Sequence, residues 1–286
     1  MYDLAFPNLN IFIEKMNSFI TIGNFTIAYY GIIIAIGMLL SFFVVLQIAK
    51  KKNINEDYFY DIFIIAIIFG IIGARIYYVL FNLDYYMKDP VKILDIRGGG
   101  LAVYGGIILT FIALFVYFRI KKIEALKVLD VAIIGLPLGQ AIGRWGNFFN
   151  MEAFGTYTNN IFAMRLNKSK LDSSVIDMTQ LLNIINDGDA EYIQAHPTFL
   201  YESFFCLLLF VTLIIVIMKF HKFNGEIVAM YLIGYGIIRF FIESLRTDSL
   251  MIGTFKISKI VAVVCFLVGL VLIIINIYKL AFLKNK

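Results

Sequence analysis

"YYGIIIAIGMLLSFFVVLQIA", residues 29–49, runs for 21 positions without one acidic or basic side chain. As an α-helix such a stretch reaches about 30 Å, the thickness of the hydrocarbon core of a bilayer. Comparable apolar stretches recur at about 58–81, 101–118, 128–143, 199–218, 226–244 and 257–278, which makes seven in all. The whole chain agrees with them. Its 286 residues are 61% hydrophobic and 16% charged, whereas a soluble domain averages about 45–50% apolar and about 25% charged. The expected fold is an all-α polytopic membrane protein of about seven transmembrane helices, with a small extracytoplasmic head between spans four and five.

A formal net charge of +5 suggests nucleic acid only where basic residues gather on one soluble face, and here they are scattered among short connections. No nucleic-acid partner is expected. Cys206 and Cys265 lie far apart inside apolar runs, so neither a disulfide framework nor a metal site is expected. Residues 1–27 lack a basic stretch followed by an apolar one and do not read as a cleavable signal peptide.

Lys and Arg concentrate on the cytoplasmic side of membrane proteins. Lys50, Lys51 and Lys52 follow span one; Arg119, Lys121, Lys122 and Lys127 fill the turn between spans three and four; Lys219 and Lys222 follow span five; Lys279, Lys284 and Lys286 close the chain. All four clusters fall on one side, so the amino terminus is expected outside and the carboxyl terminus in the cytoplasm. The chain then divides into an extracytoplasmic arm (1–28), spans one to four (29–143), an extracytoplasmic head (144–198), and spans five to seven with a cytoplasmic tail (199–286). No repeat of the transporter kind stands out.

Ionisable residues inside a span cost several kcal/mol unless they face a partner, a wet cavity or a headgroup, so each is a candidate for function. The set comprises Arg75, Arg144, Glu152, Glu202, Arg239, Glu243 and Arg246, all in the outer half of the membrane on this orientation. Arg239, Glu243 and Arg246 are spaced four and three apart, on one helix face, either as a self-neutralising ladder or as a ligand site. Tyr235-Gly236 thins the helix beside Arg239 and leaves room for something large to approach. Arginine forks suit phosphate oxygens, so converging arginines at headgroup depth point to an anionic phospholipid. Arg75 is offered a pairing with Glu202 or Glu243.

The stretch "RGGGLAVYGG", residues 97–106, places Gly99 and Gly100 before span three, either as a tight loop or as backbone N–H groups open to an anion. Gly105 and Gly106 suit close helix packing. Tyr104 is an aromatic-belt anchor or a reactive phenol, and Tyr30 in Tyr29-Tyr30-Gly31 reads as an interfacial residue. His196 caps span five, and His221 falls on the other side of the membrane. No zinc site is therefore expected.

"GRWGNFFNMEAFG", residues 143–155, resembles the signature of the prolipoprotein diacylglyceryl transferase family at Gly143, Arg144, Gly146, Asn147, Phe148, Asn150, Glu152 and Gly155. Tyr30-Gly31, "GGLAVYGG", "HPTFLYE" and "YGIIRFFIESLR" extend the resemblance over nearly the whole chain, the head being least similar. It implies transfer of the diacylglyceryl group of phosphatidylglycerol to the lipobox cysteine of a prolipoprotein signal peptide, without a cofactor, in the bacterial cytoplasmic membrane among its lipids. Arg144 and Arg239 match the family's essential arginines. Asn147, Glu152 and Gly155 match positions that shape its site, Glu243 and Arg246 its acidic and basic companions on span six, and Tyr30 a tyrosine it needs; with Asn150, Gly99, Gly100 and Glu202 they are expected to bind substrate.

One position departs from the family. Tyr104 stands where many members carry a histidine proposed as the base for the thiol. A neutral phenol, with a pKa of about 10, is a poor base at pH 7 toward a thiol of about 8.5. Tyr104 is therefore expected to orient the substrate by hydrogen bonding while the arginines lower the thiol pKa. A lipid transporter or flippase would need polar residues continuing into the inner half of the membrane, where this chain has almost none; another membrane lipid transferase is the remaining alternative.

Overall fold

The computed structural model describes residues 2–23, 25–96 and 99–284, with the side chains of 280–284 left aside. Arg97, Gly98 and Lys286, which figured in the sequence reading, lie outside the described residues, as does the Lys284 side chain.

Among the described residues seven segments are long and apolar enough to cross a membrane. They comprise α1 (Tyr29–Lys51), α2 (Asp57–Leu80), α4 (Val103–Lys121), α5 (Ala125–Ala132) continued by α6 (Gly135–Phe149), α8 (Thr198–Ile215) extended to Phe220, α9 (Glu226–Leu245) and α10 (Ile257–Lys284). A short α3 (Leu83–Tyr86) follows α2. The protein is a polytopic helical membrane protein. Span four differs most from expectation. It is broken after Ala132 near Pro137, and it continues to Phe149 rather than stopping at residue 143. A proline early in α6 has no N–H to offer the preceding turn, so the break falls where that donor would be missed.

The chain divides into two compact units, Met1–Val44 with Ile133–Lys286, and Val45–Ala132. In the second unit glycines bring α2 and α4 into backbone contact. A Cβ on Gly73 would stand 2.4 Å from the Gly105 carbonyl oxygen, and one on Gly106 would stand 2.7 Å from that of Gly70. Gly105 and Gly106 thus serve helix packing, the small-residue route by which membrane helices associate.

The first unit carries strands the all-α expectation did not include. Strands β1 (Leu4–Phe6), β2 (Ile11–Ile13), β5 (Met164–Asn167), β6 (Ile185–Asp187) and β7 (Ala190–Ala195) form an antiparallel sheet in the order β2-β1-β5-β7-β6. The arm and the head, separate in the sequence reading, are therefore one sheet, with Leu4 opposite Leu166 and Leu166 opposite Ile193. Alternation decides its faces. Leu4, Phe6, Leu166 and Ile193 pack with Met151, Phe154 and Phe199, while Ala5 joins Tyr2 and Tyr192 on the other side. A short α7 (Met178–Leu181) precedes β6, with Asp177 and Gln180 capping it reciprocally. Two separate hairpins, β3 (Phe19–Ile22) with β4 (Phe25–Ala28) and β8 (Met251–Ile252) with β9 (Phe255–Lys256), lead straight into α1 and α10.

Candidate active site

Because α6 runs on to Phe149, Arg144 and Asn147 sit three apart on its final turns and face the same way. Arg144 Nη1 donates to Asn147 Oδ1 at 3.1 Å. Beyond the helix the chain doubles back, with Met151 and Ala153 in the left-handed region at φ of 49° and 58°. That conformation is disfavoured for side chains with a Cβ and persists where surrounding structure enforces it. It returns Glu152 to the helix end, where Glu152 N donates to the Asn147 carbonyl at 3.0 Å and Oε1 accepts from Asn147 Nδ2 at 2.8 Å and Asn150 Nδ2 at 3.3 Å.

On its other side Arg144 reaches Glu202, in the second turn of α8, through Nε at 3.0 Å from Oε2. The same oxygen lies 3.3 Å from Arg239 Nη1 on α9, and Tyr235 donates its hydroxyl to Glu202 Oε1 at 3.2 Å. Arg239 Nη2 then meets Glu243 Oε2 at 2.6 Å. The result is a continuous polar row, Glu152–Asn147–Arg144–Glu202–Arg239–Glu243, strung across three helices. Glu202 and Glu243 are each only 1% exposed. Burying a carboxylate is costly without a partner, and Glu202 has two guanidinium groups and a hydroxyl against it, whereas Glu243 has the Arg239 guanidinium. Glu202, read from the sequence as a ligand contact, has both oxygens committed to the arginines and Tyr235.

Glycines admit the neighbours of this row. The Tyr30 ring lies where a side chain on residue 146 would be, 2.6 Å from its ideal Cβ. Gly155 donates to the His196 carbonyl at 2.9 Å, accepts from Gln180 Nε2 at 2.8 Å and bridges to Arg246. It is the seam between the sheet-bearing segment, the start of α8 and the end of α9. His196 Nδ1 lies 3.4 Å from the Tyr201 hydroxyl, and burial depresses its pKa below the ordinary value.

Two expectations for α9 are corrected. Arg246 does not share the helix face of Arg239 and Glu243; it follows the last helical residue in an extended conformation and pairs with Asp248 through Nε at 2.9 Å and Nη2 at 2.8 Å. Burial pushes the Asp248 carboxyl up, but the Arg246 fork more than offsets this and holds it below the usual range. The space left by Gly236 is filled by α10, whose Ala262 carbonyl oxygen would stand 2.7 Å from an added Cβ. Lys256, unnoticed in the sequence, donates to the Glu243 and Arg246 carbonyls at 2.8 and 2.6 Å and so caps α9.

The remaining candidates lie in the second unit. Arg75 pairs with neither Glu202 nor Glu243. Nε donates to Ile93 O, Nη1 to Gly99 O and Gly100 O, and Nη2 to Lys92 O and Asp95 O, so five carbonyl bonds engage a group with five N–H donors. Gly100, at φ +76°, admits no side chain, because Arg75 Nη1 would lie 2.6 Å from its Cβ; Gly99, at φ +87°, faces open space. Both precede α4, whose cap is Ala102, so they do not form its first turn. Tyr104 is the second residue of α4.

A family profile described as prolipoprotein diacylglyceryl transferase matches residues 17–275. The chain belongs to this family. It is 44% identical over 246 residues to the phosphatidylglycerol–prolipoprotein diacylglyceryl transferase of Finegoldia magna, covering 86% of the chain and 90% of that protein. To that of Clostridioides difficile it is 40% identical over 251 residues, 88% and 91% of the two chains. To that of Thermotoga maritima it is 39% identical over 278 residues, 93% and 89%.

Within a prolipoprotein diacylglyceryl transferase fold, the structure gathers Arg144, Asn147, Asn150, Glu152, Glu202, Arg239 and Glu243 into one row. Tyr30 and Gly155 abut its supporting backbone. Tyr235, Asp248 and Lys256 were missed as contributors. Tyr235 carried a usable signal, four residues before Arg239 on the same helix face, whereas Asp248 and Lys256 act through a loop and a hairpin with no helical spacing to read.

Proposed function

We propose that the chain transfers the diacylglyceryl group of phosphatidylglycerol to the lipobox cysteine thiol of a prolipoprotein signal peptide. A carbon–sulfur bond forms at the terminal glyceryl carbon as its bond to the phosphate oxygen breaks; the thiol loses its proton, and glycerol phosphate leaves. The observation carrying this reading is the pair Arg144 and Arg239 held against one buried carboxylate oxygen of Glu202. Two guanidinium groups fixed by a shared anchor form an electrostatic site prepared for negative charge on a departing phosphate. They also favour the thiolate over the thiol.

Asn147, Asn150 and Glu152 extend the site with amide and carboxylate groups that shape it for the headgroup, and Tyr30 and Gly155 support that end. Glu243 orients Arg239, and Arg246 stands with Asp248 beside it. Tyr104 orients the thiol by hydrogen bonding, with Gly99 and Gly100 shaping the approach. The positive-inside pattern supports an outer location for the amino terminus, the sheet-bearing segment and the site, with the carboxyl terminus in the cytoplasm of a bacterial cell. Membranes containing the chain, incubated with phosphatidylglycerol radiolabelled in its acyl chains and a lipobox peptide, should transfer label to the peptide only when its cysteine is present. Absence of label on the cysteine peptide would sink the proposal.

A further inference from the structure

Two hairpins have an apolar face that the protein leaves bare. In β3–β4 the register sets Ile20 opposite Ile27 and Ile22 opposite Phe25, so these four side chains share one face, while the other carries the Thr21–Thr26 pair with Phe19 and Ala28 beside it. All four are exposed, Phe25 at 69%. In β8–β9, Ile252 opposes Phe255, both more than 60% exposed, while the opposite side carries Lys256, turned back to the end of α9. A two-stranded ribbon of this kind is marginal in water without something to cover its apolar face.

Their connections say what the cover is. Each return strand passes without a break into a membrane span, β4 into Tyr29 of α1 and β9 into Ile257 of α10. Each base is tied to the first helical residue, by Tyr29 N to Ser18 O at 2.9 Å and Ile257 N to Leu250 O at 3.0 Å. Four strand residues rise about 13 Å, so neither ribbon can depart far from the end of its span. No Asp, Glu, Lys, Arg or His occurs from Met16 to Ala49, so the uncharged run begins well before the helix it feeds. The unpaired edges of the ribbons still need water or headgroups, which excludes the hydrocarbon centre.

We propose that hairpins 19–28 and 251–256 lie in the lipid boundary where α1 and α10 begin, with phospholipid covering their apolar faces. They sit about 5–10 Å into the headgroup and upper acyl layer, as interfacial amphipathic elements do. Because Lys256 belongs to the second hairpin, that immersed ribbon is tied directly to the end of the helix bearing Arg239 and Glu243.

The test uses the full chain in nanodiscs of phosphatidylcholine and phosphatidylglycerol. An environment-sensitive fluorophore is placed at Phe25→Cys, Ile252→Cys or, for the opposite face, Thr21→Cys, with Cys206→Ala and Cys265→Ala. Labels at 25 and 252 should be quenched about twofold more by lipids spin-labelled near the headgroup than by lipids labelled deep in the chain, and more than the label at 21. Open access to aqueous iodide without lipid quenching would overturn the proposal. Should the cysteine-free background not fold, the unaltered protein is irradiated with diazirine phospholipids. Adducts within 19–28 and 250–256 support the proposal, whereas no adducts there, or crosslinks there to a second copy, refute it.

Discussion

Glu202→Gln isolates the charge of the shared anchor while keeping its volume. In the native chain Oε2 stands 3.0 Å from Arg144 Nε and 3.3 Å from Arg239 Nη1, and the two arginine side chains are only 21% and 15% exposed. At an effective dielectric near 20, each contact corresponds to about 5 kcal/mol of Coulomb attraction before desolvation is subtracted. Removing one partner of a buried pair typically costs about 3–5 kcal/mol, because the remaining charge stays buried and unmatched. Here two guanidinium groups would also repel one another across a neutral amide. If that penalty falls on the transition state, kcat/KM drops about 100- to 3,000-fold, at about 1.4 kcal/mol per tenfold. The loss should appear in kcat, since lone arginines still attract an anionic lipid but no longer hold their positions. The assay is transfer of labelled diacylglyceryl to a lipobox peptide in nanodiscs, run beside thermal unfolding of the same samples. Tyr235→Phe provides a graded comparison, removing one hydroxyl at 3.2 Å worth about 1 kcal/mol. A Glu202→Gln enzyme within about threefold of the parent in kcat, with an unchanged unfolding midpoint, would refute the role given to this carboxylate.

Arg239→Lys keeps the charge but has one nitrogen where the native fork serves Glu202 and Glu243 with two, so transfer should fall about 10- to 100-fold; near-parental transfer would show that charge alone suffices. Tyr104→Phe should lower transfer about tenfold if its hydroxyl orients the thiol; full activity of that variant would exclude any hydroxyl role, and complete loss with rescue by Tyr104→His would argue for proton transfer instead. Gly100→Ala should lower the unfolding midpoint more than Gly99→Ala, since both strain a positive φ but only residue 100 also meets Arg75 and Tyr78; equal midpoints would refute the packing argument. His196 has its pKa depressed by burial, so its contribution to stability is fully present above the unfolded value near 6.5 and is lost as pH falls through the folded one. Thermal unfolding between pH 7.5 and 5.5 should show that loss, and His196→Asn should flatten it; an unaltered slope would refute the assignment.

The spans were legible because a bilayer demands about 20 apolar residues, a constraint written locally in the chain. Pairing of Leu4 with Leu166 was not, because three- and four-residue strands carry little signal and their register is fixed only by contacts far apart in sequence. Arg144, Glu202, Arg239 and Glu243 were legible as charges in costly places, and the signature stretch tied the first of them to Asn147 and Glu152. Arg75 misled for a physical reason. Formal charge suggests a carboxylate partner, yet a loop folded around a guanidinium can satisfy it with carbonyl dipoles alone, and nothing in the sequence announces that loop. Gly236 misled likewise, since room for a ligand and room for a neighbouring helix look identical in one dimension.

The polar row also limits how a phosphate can be held. Arg144 and Arg239 are balanced by Glu202 and Glu243, so the four formal charges at the buried centre of the row cancel, which makes that centre tolerable in a low-dielectric setting. Glu152 adds a further negative charge at the row's exposed end. A phosphodiester adds one negative charge, and more gathers on the phosphate oxygen as its bond to carbon breaks. An arginine that abandoned Glu202 to meet it would leave that buried carboxylate with a single guanidinium and the Tyr235 hydroxyl. On the proposed role of the two arginines, the arrangement favours a phosphate that is shared rather than exchanged, each guanidinium keeping its hold on Glu202 while turning other N–H groups to the lipid. Arginine's planar, five-donor fork permits that division, and an ammonium on a flexible stem does not. The carboxylates then do more than neutralise. On that proposed role, fixing the two forks before substrate arrives would remove the reorganisation that otherwise opposes charge development at the departing oxygen.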